Sequence, residues 1–235
     1  MIADIIKLTV FIPAYKEAEN LKLLLPRLTK TLFEVEPDSE ILVMDTVESM
    51  DSTKAVCEST PGNIIYANRH GGNTFGDAVR TGIELAKGKY FIAMDGDGSH
   101  DPEFIKKLYA ERNSADVIVA SRYVEGGATQ NSRMLVFLSR IVNIVYSKVL
   151  NLDCKDVSNS FKLYRTEALK KLSLKSNNFE IIEEILFKLK KANKNLAIKE
   201  LPFTFKTRMF GETKRNLFVF MITYVFTLIR LRFGK

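Results

Sequence analysis

The chain has 235 residues, 46% of them apolar and 27% charged, which suits one α/β domain with a buried core and excludes a disordered or collagen-like polypeptide. Cys57 and Cys154 are its only cysteines, with no metal-ligand pattern around them, so reduced thiols of a cytosolic protein are expected. Of the net charge of +7, residues 206–235 carry +6, a concentration that suits nucleic acid or an anionic membrane as the partner.

The first ten residues hold an early acid and no basic segment or cleavage site, so no secretory signal is expected. Lys7 to Ile12 reads as a strand closed by Pro13-Ala14-Tyr15. Leu21, Leu24, Leu25, Leu28 and Leu32 recur on a helical period, which predicts a helix from Ala18 to Phe33 with Pro26 disturbing its regularity. Glu40 to Met44 is a second strand that delivers Asp45 at its carboxyl end. Asp51-Ser52-Thr53 caps a helix from Lys54, and Asn63 to Tyr66 is a third strand. The glycine-marked loop His70 to Gly76 fits neither a dinucleotide fingerprint nor a P-loop, and a helix is predicted from Asp77 to Lys87.

Tyr90 to Met94 is a short apolar run of the kind buried on both faces of a parallel sheet, and it ends in Asp95-Gly96-Asp97-Gly98. Carboxylates two apart in an extended chain project to the same side, and the glycines let the backbone turn and a ligand approach. The pattern is open to two readings: a plain Asp-Gly turn, or a hard-oxygen site for Mg2+ or Mn2+ holding phosphates. An EF-hand is excluded, because His100 and Lys106 stand where that loop needs Gly and Glu. Asp101-Pro102-Glu103 reads as N-cap, first-turn proline and acidic turn of a helix from Phe104 to Glu111.

Asp116 to Ala120 is a fifth strand, followed by Ser121-Arg122-Tyr123. The alternation of strand and helix predicts an open, mostly parallel α/β sheet, with Tyr15, Asp45, Asp95, Asp97 and Arg122 gathered at its carboxyl edge. Arg133 to Leu150 is a long helix on which Arg133 and Arg140 share a face beside a polar line of Ser139, Asn143 and Ser147. It is either a buried helix with a polar seam or one wall of an anion site. Phe179 to Lys191 is another helix, and Leu196 to Lys206 is strand-like. Asn216 to Ile229 is uncharged for 14 residues, too short to span a membrane and flanked by Arg215, Arg230 and Arg232. It reads as a helix lying in the membrane interface, or as a helix packed on the core.

Several stretches together resemble one family. They are FIPAYKEAENL, Asp45 with Ser49-Met50-Asp51-Ser52-Thr53, GDAVRTGIELAKGKYFIAMDGDGSHDPE and ASRYVEGG. In this order they resemble the family 2 inverting glycosyltransferases of GT-A fold. CKDVSNSFKLYRTEAL, the Glu183-Glu184 helix, KELPFTF and RMFGETK are similar to the dolichol-phosphate mannosyltransferase branch. The resemblance implies a catalytic domain over 1–213 and a basic, apolar membrane-interface segment over 214–235. It implies nucleotide-sugar contacts at Pro13, Ala14, Tyr15, Glu17 and Asp45, with Arg208 and Lys214 on a basic loop over the donor diphosphate. Asp95 and Asp97 match the D-x-D pair that holds Mg2+ or Mn2+, and Arg122 matches an arginine near the acceptor phosphate. The chain departs from the family in four places. Thr46 follows Asp45 where a second acid is usual, Ser99 takes the place of a metal-holding Gln, and Ser160 replaces a glycine. Arg133 lies six residues before Ser139 instead of four, so either Arg133 or Arg140 meets the acceptor phosphate.

What the resemblance implies is a metal-dependent enzyme on the cytoplasmic side of a membrane, without a span of its own, transferring mannose from GDP-mannose to dolichyl or polyprenyl phosphate. A membrane-anchoring partner protein is compatible with it. A lipid monophosphate is already ionised near neutral pH and needs no strong general base, which fits a chain with only His70 and His100. The alternatives are a UDP-glucose or UDP-GlcNAc donor, a glycan hydroxyl acceptor, or an idle nucleotide-sugar or nucleic-acid binding protein. Processive hydroxyl-transferring synthases carry a Gln-x-x-Arg-Trp signature, and this chain has no Trp. Basic and aromatic residues interleave only in the tail, which argues against nucleic acid.

Overall fold

The computed structural model describes residues 6–211 and 217–233, the side chains of 217–222 excepted. The first half runs β1 (Leu8–Pro13), α1 (Ala18–Val35), β2 (Ser39–Asp45), α2 (Thr53–Ser59), β3 (Ile64–Asn68), α3 (Phe75–Leu85), β4 (Tyr90–Ala93), α4 (Phe104–Ala110) and β5 (Val117–Ser121). The second runs β6 (Ala128–Thr129), α5 (Arg133–Val149), β7 (Lys162–Arg165), α6 (Thr166–Lys170), α7 (Ile181–Ala192), β8 (Ile198–Pro202), β9 (Thr204–Phe205) and α8 (Leu217–Phe233). Seven strands form a sheet in the order β3-β2-β1-β4-β7-β5-β8, parallel except for β7, which runs against both β4 and β5. The short β6 and β9 pair beside it.

Strand residues alternate between two apolar layers, as their period of two requires. Leu8, Val10 and Ile12 of β1 join Leu21, Leu24, Leu25 and Leu28 of α1 on one side. Phe11 points the other way, into a layer built with α3, α5 and α7. The five parallel strands expected in the first half are all present. The strand-like reading of Leu196 to Lys206 resolves into β8 and β9, and β7 carried no such reading. Its four residues KLYR open on Lys162, which is fully buried and donates to the carbonyls of Val157 and Asn159. A charge in a short run hides the apolar signal by which a buried strand is read.

Two local expectations are refined. α1 continues through Pro26, which is exposed, so the missing N–H removes one helical bond without ending the helix. α3 begins two residues before Asp77, because Thr74 and Asp77 form a reciprocal capping box. Asp101 does not cap α4 itself, whose N-cap is Glu103; its Oδ1 accepts from Glu103 N at 3.2 Å in a turn ahead of the helix, which i→i+3 bonds from Phe104 and Ile105 tighten.

α8 has 17 residues, about 25 Å of helix, and no helix among the described residues is long and apolar enough to cross a membrane. It has two different faces. Tyr224, Thr227 and Leu231 are buried, Tyr146 Oη of α5 donates to Tyr224 O at 2.5 Å, and Arg230 donates to Ser176 Oγ at 2.7 Å. Val225, Phe226, Ile229 and Phe233 are exposed, and so are Met134, Phe137, Ile141 and Ile144 on α5. One face of α8 thus packs on the core, as the core-helix reading expects, and the other is apolar and exposed.

Candidate active site

The sheet reverses its order of growth at β1. Strands β2 and β3 extend it on one side and β4 resumes on the other. Loops leaving the carboxyl ends of β1 and β4 therefore diverge, and ligands of open α/β sheets bind in the crevice between such loops. A cleft of about 970 Å³ opens there. Pro13, Ala14, Tyr15 and Glu17 come to it from the first loop, and Asp95, Asp97 and Ser99 from the second.

Asp95 and Asp97 lie beyond β4, in a turn. Both line one cleft although neither belongs to the strand, so strand alternation is not the cause, and Gly98 at φ +83 turns the chain just after them. Each carboxylate has its Oδ1 hydrogen-bonded, while Asp97 Oδ2 stands 3.3 Å from Arg208 Nε and Asp95 Oδ2 3.7 Å from His100 Nε2. Asp97 Oδ1 accepts from Ser99 N at 3.0 Å and Ser99 Oγ at 2.5 Å, while Asp95 Oδ1 accepts from Ser160 Oγ at 2.9 Å. Asp95 N donates to His100 Nδ1 at 2.9 Å, which leaves the ring proton on Nε2. The His100 ring is fully buried, stacked on Phe161 and edged by Phe203 and Phe205, and this burial pushes its pKa below the usual imidazole range.

Segment 206–211 lies across this turn. Lys206 N donates to Ser99 O at 3.1 Å, Met209 N to Asp97 O at 2.9 Å, and Phe210 N to Asn20 Oδ1 at 3.1 Å. A Cβ on residue 98 would fall 2.5 Å from Cε of the Met209 side chain, which would have to move aside, so the glycine is required chiefly by its φ of +83. Arg208 Nη2 donates to Glu17 Oε1 at 2.8 Å, and its Nε stands 3.3 Å from Asp97 Oδ2. The structure thus brings Glu17, Asp97 and Arg208 together. Lys214, the other basic residue expected here, lies outside the described residues.

The far side of the cleft is organised by the loop between α5 and β7, in which the sequence reading noted a family motif but assigned no site residue. Arg122 Nε and Nη2 donate to the two oxygens of Asp156 at 2.8 and 2.6 Å, and Nη2 also reaches Ser158 Oγ at 3.0 Å. Asp156 is fully buried. Burial disfavours the Arg122 charge, but the Asp156 carboxylate outweighs it and holds the guanidinium pKa above its usual range. Asn143 of α5 donates to Ser158 Oγ and to Ser139 O, so the polar seam of α5 joins this network. Ser139 lines the cleft, whereas Arg133 and Arg140 are exposed and do not. Arg140 and Arg122 both lie over the ring of Tyr123, at 5.5 and 5.0 Å, which places Arg140 at the rim.

Asp45 is fully buried and its oxygens are occupied: Oδ1 accepts from Thr46 N at 2.8 Å, and Oδ2 from Ser49 Oγ at 3.1 Å and Tyr66 Oη at 3.0 Å. It ties the end of β2 to β3 and does not line the cleft. Arg69, another residue without a signal in the sequence, is 4% exposed and donates to the carbonyls of Ala14, Met44, Asp45, Asn73 and Thr74. One guanidinium so gathers the ends of β1 and β2 and the loop before α3 behind Tyr15. A lone arginine after a strand does not reveal that its partners are carbonyls.

Among the described residues, no three His, Cys, Asp or Glu side chains converge to cage an ion. Two carboxylates whose Oδ2 atoms face only the Arg208 guanidinium and, at 3.7 Å, the His100 ring, completed by ligand oxygens and water, suit a hard divalent cation held with a diphosphate. The placement of Arg208 against Asp97 Oδ2 shows that the spot already favours a cation. The Ser99 hydroxyl, expected as a third ligand, is engaged with Asp97.

Comparison with known proteins agrees with this geometry. Residues 9–173 match the model of a family described as glycosyl transferase family 2. A dolichol-phosphate mannosyltransferase of Pyrococcus furiosus is 34% identical over 218 residues, covering 88% of this chain, and the chain spans 59% of that relative's length. A polyprenol monophosphomannose synthase of Mycolicibacterium smegmatis is 32% identical, with 88% of this chain and 80% of the relative covered. Among solved structures, glucosyl-3-phosphoglycerate synthase of Mycobacterium tuberculosis, in complex with Mn2+, UDP and glucosyl-3-phosphoglycerate, superposes with a TM-score of 0.70 at 14% identity. That match covers 96% of this chain and 80% of the synthase, and it bears on the fold.

Proposed function

The chain belongs to glycosyl transferase family 2, and on that footing we propose that it transfers mannose from GDP-mannose to dolichyl or polyprenyl phosphate, with inversion and with Mg2+ or Mn2+. The observation that carries this reading is one cleft with two unlike ends. The Asp95–Asp97 turn under Arg208 lies at one end, and the Arg122–Asp156 pair with Ser139 and Ser158 at the other. The relatives named for prenyl-phosphate mannosyl transfer supply the substrate class.

The nucleotide would lie along Pro13 to Glu17, over the floor that Arg69 fixes, with Asp45 acting from behind by holding the loop at Thr46 to Ser49. Asp95 and Asp97 would hold the divalent ion, which when bound offsets the charge growing on the departing diphosphate. Arg208 and Lys214 would turn to that diphosphate from above. On the acceptor side, Arg122 with Ser139 and Ser158 would orient a phosphate whose ionised oxygen attacks the anomeric carbon from the face opposite the leaving group. The carbon–oxygen bond to the nucleoside diphosphate breaks as the new one forms, so the configuration inverts and no proton needs to move. Because the Nε and Nη2 fork of Arg122 is engaged by Asp156, its Nη1 and the two serine hydroxyls would make the contacts to that phosphate.

The exposed apolar faces of α5 and α8 would lie in the membrane interface, with 214–235 as the anchoring segment and 1–213 as the catalytic unit. That places the lipid phosphate beside α5, one wall of the cleft. The test is transfer from labelled GDP-mannose to polyprenyl phosphate and to the matching polyprenol. Transfer to the phosphate alone, lost in Asp97→Asn, is expected. Comparable transfer to the alcohol would rule the reading out.

A further inference from the structure

Asp95 is useful as a ligand only if one oxygen is kept for it. A carboxylate can rotate about its own bond, and a hydrogen bond to one oxygen fixes where the other stands. Within the turn Asp97 gets this hold from its near neighbour Ser99. Asp95 gets it from 65 residues away, where Ser160 Oγ donates to its Oδ1 at 2.9 Å.

The frame behind Ser160 is rigid. Asn159 Nδ2 donates to Ala120 O at 2.6 Å, tying the loop to the end of β5. Asn159 O and Val157 O both accept from the buried Lys162 ammonium. On the next residue, Phe161 is fully buried under His100, whose Nδ1 takes the Asp95 amide. This segment therefore holds the Asp95 carboxylate directly, through Ser160, and backs the His100 ring that holds its amide and stands 3.7 Å from its Oδ2. Ser160 itself is half-buried and lines the cleft, so its hydroxyl is not needed to fill the core.

We propose that Ser160 is a positioning residue for Asp95: its hydroxyl fixes Oδ1 and thereby presents Oδ2 to the divalent ion of the donor complex. This rests on the reading of Asp95 and Asp97 as the metal-holding pair. Groups that orient a metal ligand typically contribute a factor of ten or more to metal affinity, and loss of this hydroxyl should weaken the site by about tenfold. Melting of the protein without metal should barely change, since no core volume is removed.

The experiment is an electron paramagnetic resonance titration of free Mn2+ with the full chain in the presence of GDP, using wild type, Ser160→Ala, Ser160→Thr and Asp97→Asn. The expected result is a Kd for Mn2+ raised about tenfold in Ser160→Ala, regained in Ser160→Thr, and raised further in Asp97→Asn. Ser160→Ala binding Mn2+ like wild type while Asp97→Asn does not would overturn the positioning role alone. Equal weakening in Ser160→Ala and Ser160→Thr, with lowered metal-free melting in both, would overturn it as well and leave a packing role. Asp97→Asn binding like wild type would remove the metal-site reading beneath it.

Discussion

Arg208 Nε lies 3.3 Å from Asp97 Oδ2 while the same guanidinium donates to Glu17 Oε1 at 2.8 Å. A side-chain cation therefore holds the acidic turn wherever no other cation does. A metal ion must compete with Arg208 for Asp97, whereas a diphosphate gives Arg208 a better partner. Arg208→Ala should bind Mn2+ alone about twofold or more tightly, yet bind GDP in saturating Mn2+ more weakly, with turnover down by about tenfold or more. Calorimetric titrations of Mn2+ alone and then of GDP would check both signs. Loss of affinity in both titrations would mean that Arg208 merely props up the loop.

Arg122 is expected near an acceptor phosphate, and its carboxylate neighbour is not a surface acid. Its partner is instead the fully buried Asp156, in a two-pronged pair. Lysine cannot reproduce that fork, and a buried carboxylate left half-paired is destabilising. Arg122→Lys should thus lower stability by about 1–3 kcal/mol as well as raise the KM for lipid phosphate. Ser158→Ala, which leaves the ion pair intact, separates the two effects. It should raise the acceptor KM by several-fold with little change in melting. An acceptor KM unchanged in Ser158→Ala would take the Arg122 end of the cleft out of acceptor binding.

The sequence was most informative where a single strand or helix decides the outcome. Runs such as VFI and FIAM announce buried parallel strands, and the acids that follow them necessarily share one sheet edge. It was least informative where the partner is remote or of the wrong type. β7 is hidden by Lys162, whose charge is absorbed by two carbonyls. Asp156 meets Arg122 across 34 positions, from a loop with no period to read. Asp45 looked like a ligand-binding acid, and only the positions of Thr46, Ser49 and Tyr66 show its oxygens to be occupied. A helix apolar all round hides which side it docks, and the two faces of α8 emerge only against α5.

On the membrane reading proposed above, the two faces of α8 separate membrane binding from folding. Phe226 and Ile229 are 69% and 52% exposed, whereas Leu231 is 8% exposed in the packed face. Replacing Phe226 and Ile229 together by Ser should leave melting within about 2 °C and reduce flotation with anionic vesicles severalfold. Leu231→Ala should instead cost about 2–4 kcal/mol of stability by opening a cavity. High salt should release only part of the wild type, because apolar burial acts alongside the arginines. Flotation of the Phe226/Ile229 double variant at the wild-type level would show that α8 is not the membrane-facing element.

Glu183 of α7 is fully buried in the layer beneath α5 and α8, and burial pushes its carboxyl up to about 8, against the pull of Lys162 on β7. Glu180, the N-cap of the same helix, and Tyr224 on α8 face it, and Tyr146 and Tyr164 feel its charge from α5 and β7. The folded chain thus keeps the proton between about pH 4.5, its ordinary value, and about 8, where the unfolded chain has released it. The stability this proton confers is complete below the lower value and is lost as the pH rises through the upper one. The slope is at most about 1.4 kcal/mol per pH unit, or roughly 2–4 °C of melting temperature per kcal/mol for a chain of this size. Glutamine has the shape of the protonated acid and cannot ionise. Glu183→Gln should therefore melt near wild type at pH 5 and progressively above it toward pH 8.5. Melting of both proteins at half-unit intervals across that range checks the sign. Parallel curves would mean that Glu183 is ionised in the folded chain and compensated by Lys162.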